Sequence, residues 1–221
     1  MRYKQTPQFF CRCSAIGQLM TPARSKTQTL SETAKSMLIT WYKEKLYDRR
    51  KEIQSKYLTK GNECEDNSIT YINGLYGTEY QKNEQFFKNE YIHGTPDIIE
   101  DDLIIDIKNS WDFLTFPLFS KELPSKEYYW QVQGYMWLTG KRNGSVIYTL
   151  MDLPPEQIEQ EYKRFGNKGA VTPEFAALHT YSNVDDSLRV KRFDFEYDED
   201  AVAQIIDKVE AARNFLKALS Y

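Results

Sequence analysis

The sequence predicts an α/β (α+β) fold, a small mixed central β-sheet flanked by helices. Three observations predict it. Apolar residues recur at helical spacing toward both ends of the chain, the middle alternates with the period of strands, and turn-forming residues separate the two patterns. Near the start, Thr29-Leu30-Ser31-Glu32 has the form of a capping box, a hydroxyl at the N-cap with a carboxylate three residues on. Behind it Ala34, Met37, Leu38, Trp41 and Leu46 form an apolar stripe, and Lys35, Lys43, Arg49 and Arg50 lie mostly off it. A second helix is expected from about Asn62 to Tyr76, with Gly61 ahead of it and Gly74 and Gly77 at its frayed end.

Strand signals follow. Phe86-Phe87 through Ile92 reads as one strand closed by the turn-prone His93-Gly94-Thr95-Pro96. Asp97-Ile98-Ile99 and Leu103–Lys108 then form a hairpin around Glu100-Asp101-Asp102. Residues 127–139 read as a helix and Ser145–Met151 as a buried strand. Phe193, Phe195 and Tyr197 alternate as in a half-buried strand, and Val202 to Leu219 closes the chain as an amphipathic helix.

With 221 residues, no repeat and no linker-like tract, the chain is expected to be one domain over 1–221. Within it lie a basic helical part (1–60), a core (61–152) and a C-terminal strand and helix (188–221). No apolar run approaches the ~18–20 residues that cross a bilayer. Gln5, Gln8 and Arg12 interrupt any leader-like stretch. Three cysteines are too few, and odd in number, for a disulfide scaffold, so a soluble cytoplasmic protein is expected. Charge is segregated: residues 1–60 carry 13 Lys and Arg against 4 Asp and Glu, and residues 61–120 carry 3 against 12. That pattern suits a polyanion-binding surface beside a cation-binding site, because Lys and Arg on phosphates supply most nucleic-acid affinity. Solvated helix faces that segregate by sign remain the plainer alternative.

The hairpin carries the chemistry. Pairing Ile99 with Ile104 sets Asp97 opposite Asp106, and strand alternation sends Asp106 and Lys108 to one face and Ile105 and Ile107 to the other. Opposed like charges destabilise a sheet unless a cation sits between them, and hard oxygen ligands select Mg²⁺ or Mn²⁺. A solvent-facing acidic hairpin with an incidental lysine stays open at this point.

Pro96-Asp97, eight residues, then Asp106-Ile107-Lys108 resembles the signature of the PD-(D/E)XK metal-dependent nucleases. Two further segments stand in the right order. Gly61-Asn62-Glu63-Cys64-Glu65 opens a helix upstream, and Gln131-Val132-Gln133-Gly134-Tyr135 downstream is similar to the Q-x-x-x-Y motif of RecB-type members. Ser14–Met20, Lys60–Ile69 and the Trp130–Trp137 run W-Q-V-Q-G-Y-M-W extend the resemblance over most of the chain, toward the viral recombination nucleases of the phage lambda exonuclease type.

The resemblance implies a restriction-endonuclease-like core. Asp97, Asp106 and the Ile107 carbonyl would ligate Mg²⁺, with Mn²⁺ as substitute, and Glu65 would complete the site directly or through a water. Lys108 would orient or deprotonate the attacking water. Gln131 would hold the lysine or a substrate phosphate, with Tyr135 beside it, and Ser14 would help bind a terminal 5′-phosphate. The phosphate-binding arginine that the family places before the serine would be Arg12, with Arg24 and Lys26 as competitors. Asp106 stands where Glu is commoner. Glu79, Glu84 and Glu90 compete with Glu65 for the third acid.

Other features are expected to be structural. Cys11-x-Cys13 and Cys64 fall one thiolate short of an iron–sulfur cluster. His93 and His179 are too few for a histidine-based metal site. Trp111, Phe113, Phe116 and Phe119 are expected mainly in the core, with base stacking as the alternative. The implied function is a Mg²⁺-dependent deoxyribonuclease that degrades one strand of duplex DNA 5′ to 3′ during phage-type recombination, in the host cytoplasm. A structure-specific or nicking endonuclease, or a non-catalytic DNA-binding accessory protein, are the alternatives. A single-strand annealing protein as partner and a ring-shaped homotrimer are implied by resemblance alone.

Overall fold

A computed structural model describes residues 6–25, 27–50 and 56–219, with only the backbone of 56–59 and 62. Lys26, one of the competing phosphate ligands, lies outside the described residues. Four strands make the larger sheet, in the order β4 (Ile98–Ile99), β5 (Leu103–Asn109), β6 (Asn143–Thr149), β7 (Val190–Glu196). Its outer pairs are antiparallel and the central β5–β6 pair is parallel. A parallel pair needs a long crossover, and here the crossover contains helix α4 (Lys126–Thr139). A second sheet orders β1 (Cys11–Arg12), β3 (Ile92–Gly94) and β2 (Phe87–Lys88). Around them lie α1 (Cys13–Met20), α2 (Glu32–Tyr47), α3 (Lys56–Tyr76), α5 (Pro155–Arg164), α6 (Pro173–Ala177) and α7 (Glu199–Ala218). No helix among the described residues is long and apolar enough to cross a membrane.

Strand alternation divides the larger sheet into two faces. Ile98, Ile105, Ile107 and Ile147 pack with Ile69 and Ile72 of α3. Ile104, Val146, Tyr148 and Phe193 belong to the main core, with Ile16 and Leu19 of α1, Val132 and Met136 of α4, and Ile205 and Val209 of α7. Asp106 and Lys108 share their face with Ile104, so they point toward α4.

Two devices lock this arrangement. Lys60 of α3 is buried, and its ammonium donates to the carbonyls of Ser110 (2.8 Å), Trp111 (3.0 Å) and Met151 (2.8 Å). It thereby ties α3 to the segments leaving β5 and β6. Between α1 and α4 there is no room for a side chain at Gly17, where a Cβ would stand 2.5 Å from both Cα and Cβ of Glu127.

Several boundaries differ from expectation for physical reasons. Ser31, not Thr29, caps α2, accepting from the Ala34 N–H at 3.1 Å, which moves the N-cap two residues on. α3 begins at Lys56, so Gly61 lies inside it, where the Lys60 anchorage outweighs the weak helix preference of glycine. The single strand expected over 86–92 is two strands, β2 and β3, antiparallel across a turn where Asn89 Oδ1 accepts from the Tyr91 and Ile92 N–H groups. His93 and Gly94 consequently lie in β3 rather than in a turn. β6 starts and ends two residues before the expected Ser145–Met151. α5, α6 and a 3-10 turn at Asp186–Leu188 occupy a stretch to which the sequence reading assigned no element. Of the four aromatics after β5, Trp111 and Phe116 are in the core, whereas Phe113 and Phe119 are exposed.

Gly17→Ala tests the α1–α4 approach. Because the clash is with backbone, the helices must part, and a loss of about 1–3 kcal/mol is expected in urea unfolding. An unchanged midpoint would show that the two helices are not in such contact.

Candidate active site

The β4–β5 hairpin has the expected register, Ile98 with Ile105 and Ile99 with Ile104. Asp97, one residue before β4, therefore faces Asp106 across the pair. Its Oδ2 accepts the Ile107 N–H at 2.7 Å, which fixes the carboxylate beside β5. Asp106 is fully buried. Its Oδ1 accepts from Gln131 Nε2 at 2.9 Å. Its Oδ2 has the Lys108 ammonium 2.7 Å away but no aligned hydrogen bond of its own.

The electrostatics follow from that geometry. Burial pushes the Asp97 carboxyl well above the ordinary aspartate range, and the Asp106 carboxylate adds to the shift. Burial also raises Asp106, against the pull of Lys108. For Lys108, burial disfavours the charge, but Asp106 and Asp97 outweigh it and raise its pKa. The two carboxylates therefore favour the charged form of Lys108. Its side chain keeps about 21% of its surface exposed, against 1% for Asp106, so the cation has an open side.

Two facing carboxylates, both with their charge resisted by burial, are the oxygen donors that a hard divalent cation takes. Asp97, Asp106 and the backbone at Ile107 are the groups placed to hold one. Among the described residues no cluster of three or more His, Cys, Asp or Glu is arranged as a metal site. Glu65 approaches the pair from another element. It comes from α3, and its carboxylate lies 3.2 Å from Lys82, whose backbone bridges to Ile98. It is close enough for its charge to raise Asp97 further, as the last-ranked contribution. Glu79, Glu84 and Glu90 are exposed.

Gln131 and Tyr135 share a face of α4 as expected, with Gln131 Nε2 3.2 Å from the Tyr135 hydroxyl. The Gln131 amide donates to Asp106 and lies beside the Tyr135 hydroxyl, because α4 lies directly over β5. Both residues are buried, and a Cβ on Gly94 would stand 2.8 Å from Tyr135 Cε1, so β3 covers that ring closely.

Ser14 and Arg12 are exposed where α1 begins, Arg12 being its N-cap residue with no side-chain cap. Between them Cys13 is buried, and its thiol is raised by burial first, then by Cys11 and by Asp106, so this turn adjoins the carboxylates. Arg12 pairs with His93 in the β1–β3 register, and Lys88 pairs with His93 from β2. Burial lowers the His93 pKa, and Arg12, Lys88 and Lys45 lower it further, marking one basic neighbourhood. Arg24 is exposed. Cys11, Cys13 and Cys64 are free, buried and shifted upward by burial, as inert thiols are.

Residues that the sequence reading missed are Lys82, Lys88 and Tyr128, whose ring centroid lies 4.6 Å from Lys108 Nζ. Tyr128 carried a usable signal, since it sits three residues before Gln131 and seven before Tyr135 on one helical face. Lys82 and Lys88 carried none, because strand pairing across a turn brings them in.

The carboxylate pair predicts a pH signature in metal-free protein. The folded pKa of Asp97 is above its unfolded value of 3.8. Its contribution is therefore fully present below that value and is lost as pH rises through the folded pKa. Relative to wild type, Asp97→Asn is expected to melt about 2–6 °C higher at pH 8, with a smaller gain at pH 5. Parallel melting curves against pH would refute the buried repulsion.

No family model matches the sequence, and no curated protein matches it. Solved structures do. A phage-related exonuclease from Haemophilus somnus 129PT superposes with a TM-score of 0.78 at 25% identity, covering 96% of this chain and 95% of that one. The alkaline exonuclease LHK-Exo from Laribacter hongkongensis gives 0.66 at 16% identity, over 95% of this chain and 88% of its own. Its complex with dAMP gives 0.65 at 17% identity over the same shares. With the hairpin register and its charged face in place, the chain has a restriction-endonuclease-like fold and resembles the PD-(D/E)XK nucleases of the phage recombination exonuclease type.

Proposed function

We propose that the chain is a Mg²⁺-dependent deoxyribonuclease that removes nucleotides from the 5′ end of one strand of duplex DNA. The observation that carries this reading is the facing Asp97–Asp106 pair with Lys108 2.7 Å from Asp106, in a chain that aligns over 96% of its length with a phage-related exonuclease. Asp97, Asp106 and the Ile107 carbonyl would hold the cation, and Glu65 would join them on leaving Lys82. A divalent cation there supplies Lewis acidity, lowering the pKa of a water and offsetting charge on the phosphate.

The chain's own groups do the rest. Gln131 fixes Asp106 through Oδ1 and leaves Oδ2 facing Lys108. Lys108, charged and open on one side, donates to the attacking water or to a non-bridging phosphate oxygen as negative charge grows there. Water adds to phosphorus in line with the P–O3′ bond, which breaks; the water's proton passes to bulk water, and the leaving O3′ takes up a proton from bulk water. The released nucleotide keeps its 5′-phosphate, and the next residue of the strand bears a new one. Crystallisation of LHK-Exo with dAMP, a nucleoside 5′-monophosphate, accords with such a product.

A 5′-phosphate would dock against Arg12, Ser14 and Lys88, where the free N–H groups of α1 also favour an anion. The surplus of Lys and Arg in residues 1–60 suits a duplex backbone. Because every cut regenerates the same end group, one pocket serves each successive cycle.

Lys108→Ala and Asp106→Asn are each expected to lower the turnover of end-labelled linear duplex by roughly 10²–10³-fold, while duplex binding in Ca²⁺ persists. Lys108→Ala with wild-type turnover would remove the catalytic assignment, and efficient cutting of a covalently closed circle would remove the exonuclease reading. Duplexes with 5′-phosphate should be degraded faster than those with 5′-hydroxyl, and Arg12→Ala or Ser14→Ala should erase the difference. Equal rates on both ends for wild-type protein would count against the pocket.

A further inference from the structure

α4 reaches over β5 at two successive points. Gln131 bonds Asp106, and one turn earlier Tyr128 presents its ring to Lys108, with Nζ 4.6 Å from the ring centroid. The ring is half-buried and held in a row of aromatics. It meets Tyr148 edge-on at 6.2 Å and 68°, and Tyr148 meets Phe193 at 5.9 Å and 81°. Tyr148 is also the residue of β6 in register with Lys108, so the ring and the lysine share one neighbour in the sheet.

We propose that Tyr128 is a positioning residue that seats the Lys108 ammonium between its ring face and Asp106, an inference that rests on the nuclease reading of the site. The carboxylate paired with Lys108 is one of the two placed to hold a cation. A lysine whose ionic partner is also a metal ligand needs a second hold, because its four-carbon stem is flexible and could carry the charge to another phosphate or to solvent. An aromatic face attracts the ammonium without adding a further negative charge beside the carboxylate pair. Gln131 and Tyr128 then divide the task, one fixing the carboxylate and the other the cation beside it.

The test uses the full-length chain and two readouts. In protein with ¹³C-labelled lysine side chains, the Lys108 ε-methylene, assigned by its loss in Lys108→Arg, should lie upfield because of the ring current. It should stay there in Tyr128→Phe and return to the ordinary lysine position in Tyr128→Leu. On 5′-phosphorylated linear duplex with Mg²⁺, Tyr128→Leu should lower kcat by about 5- to 30-fold with KM within about twofold, and Tyr128→Phe should restore most of the rate. A ring that does not face the lysine predicts an unshifted methylene, and one that merely fills space predicts equal kcat for the two variants; either result overturns the proposal while wild-type protein cleaves DNA. Wild-type protein that shows the shifted methylene but cleaves nothing overturns the nuclease reading, and this catalytic role with it.

Discussion

Two carboxylates held face to face on one side of a hairpin, with burial working against the charge of both, are the constraint around which the site is built. Left alone, such a pair destabilises a sheet. The fold supplies partial relief from three directions: the Ile107 N–H on Asp97, the Gln131 amide on one oxygen of Asp106, and the Lys108 ammonium beside the other. The cation proposed for this site would offset the repulsion that these contacts leave.

Holding that pair demands a rigid helix across the strand, and much of the packing can be understood in those terms. α4 is fixed at its start by the close contact with Gly17 of α1. It is fixed along its length by Gln133, which donates to the Glu196 carbonyl at 2.8 Å and accepts from the Asp198 N–H at 2.9 Å. Tyr129 adds a 2.7 Å bond to the same Asp198, whose other oxygen caps α7. On the far face, Lys60 ties α3 to the segments that leave the two central strands. The side chains that touch the carboxylates thus sit on elements anchored at several independent points, which is how a site keeps its geometry under a repulsive load.

Charge is divided between the two sheets, although Lys88 and His93 come from the acidic stretch of the chain. The smaller sheet gathers Arg12, Lys88 and His93 at the start of α1, and the larger sheet gathers the carboxylates. β3 joins them physically, since it pairs with both basic strands and leads within three residues into Asp97. An anion bound at one end and hydrolysed at the other would be positioned by a single continuous segment of backbone.

By itself the sequence determined which side chains share a strand face, where the hairpin turns, and that Gln131 and Tyr135 lie together on a helix. These depend on backbone periods that repeat within a few residues, and the register of Ile98 with Ile105 follows from them. The tertiary structure decided the rest. Gln131 donates to the Asp106 carboxylate, Glu65 pairs with Lys82, a tyrosine ring backs Lys108, and a lysine beside the glutamate motif is buried under three carbonyls. Each of these joins groups from separate elements, so each is set by how helices and strands pack. Local periodicity specifies the direction in which a side chain points, and packing alone specifies what it meets.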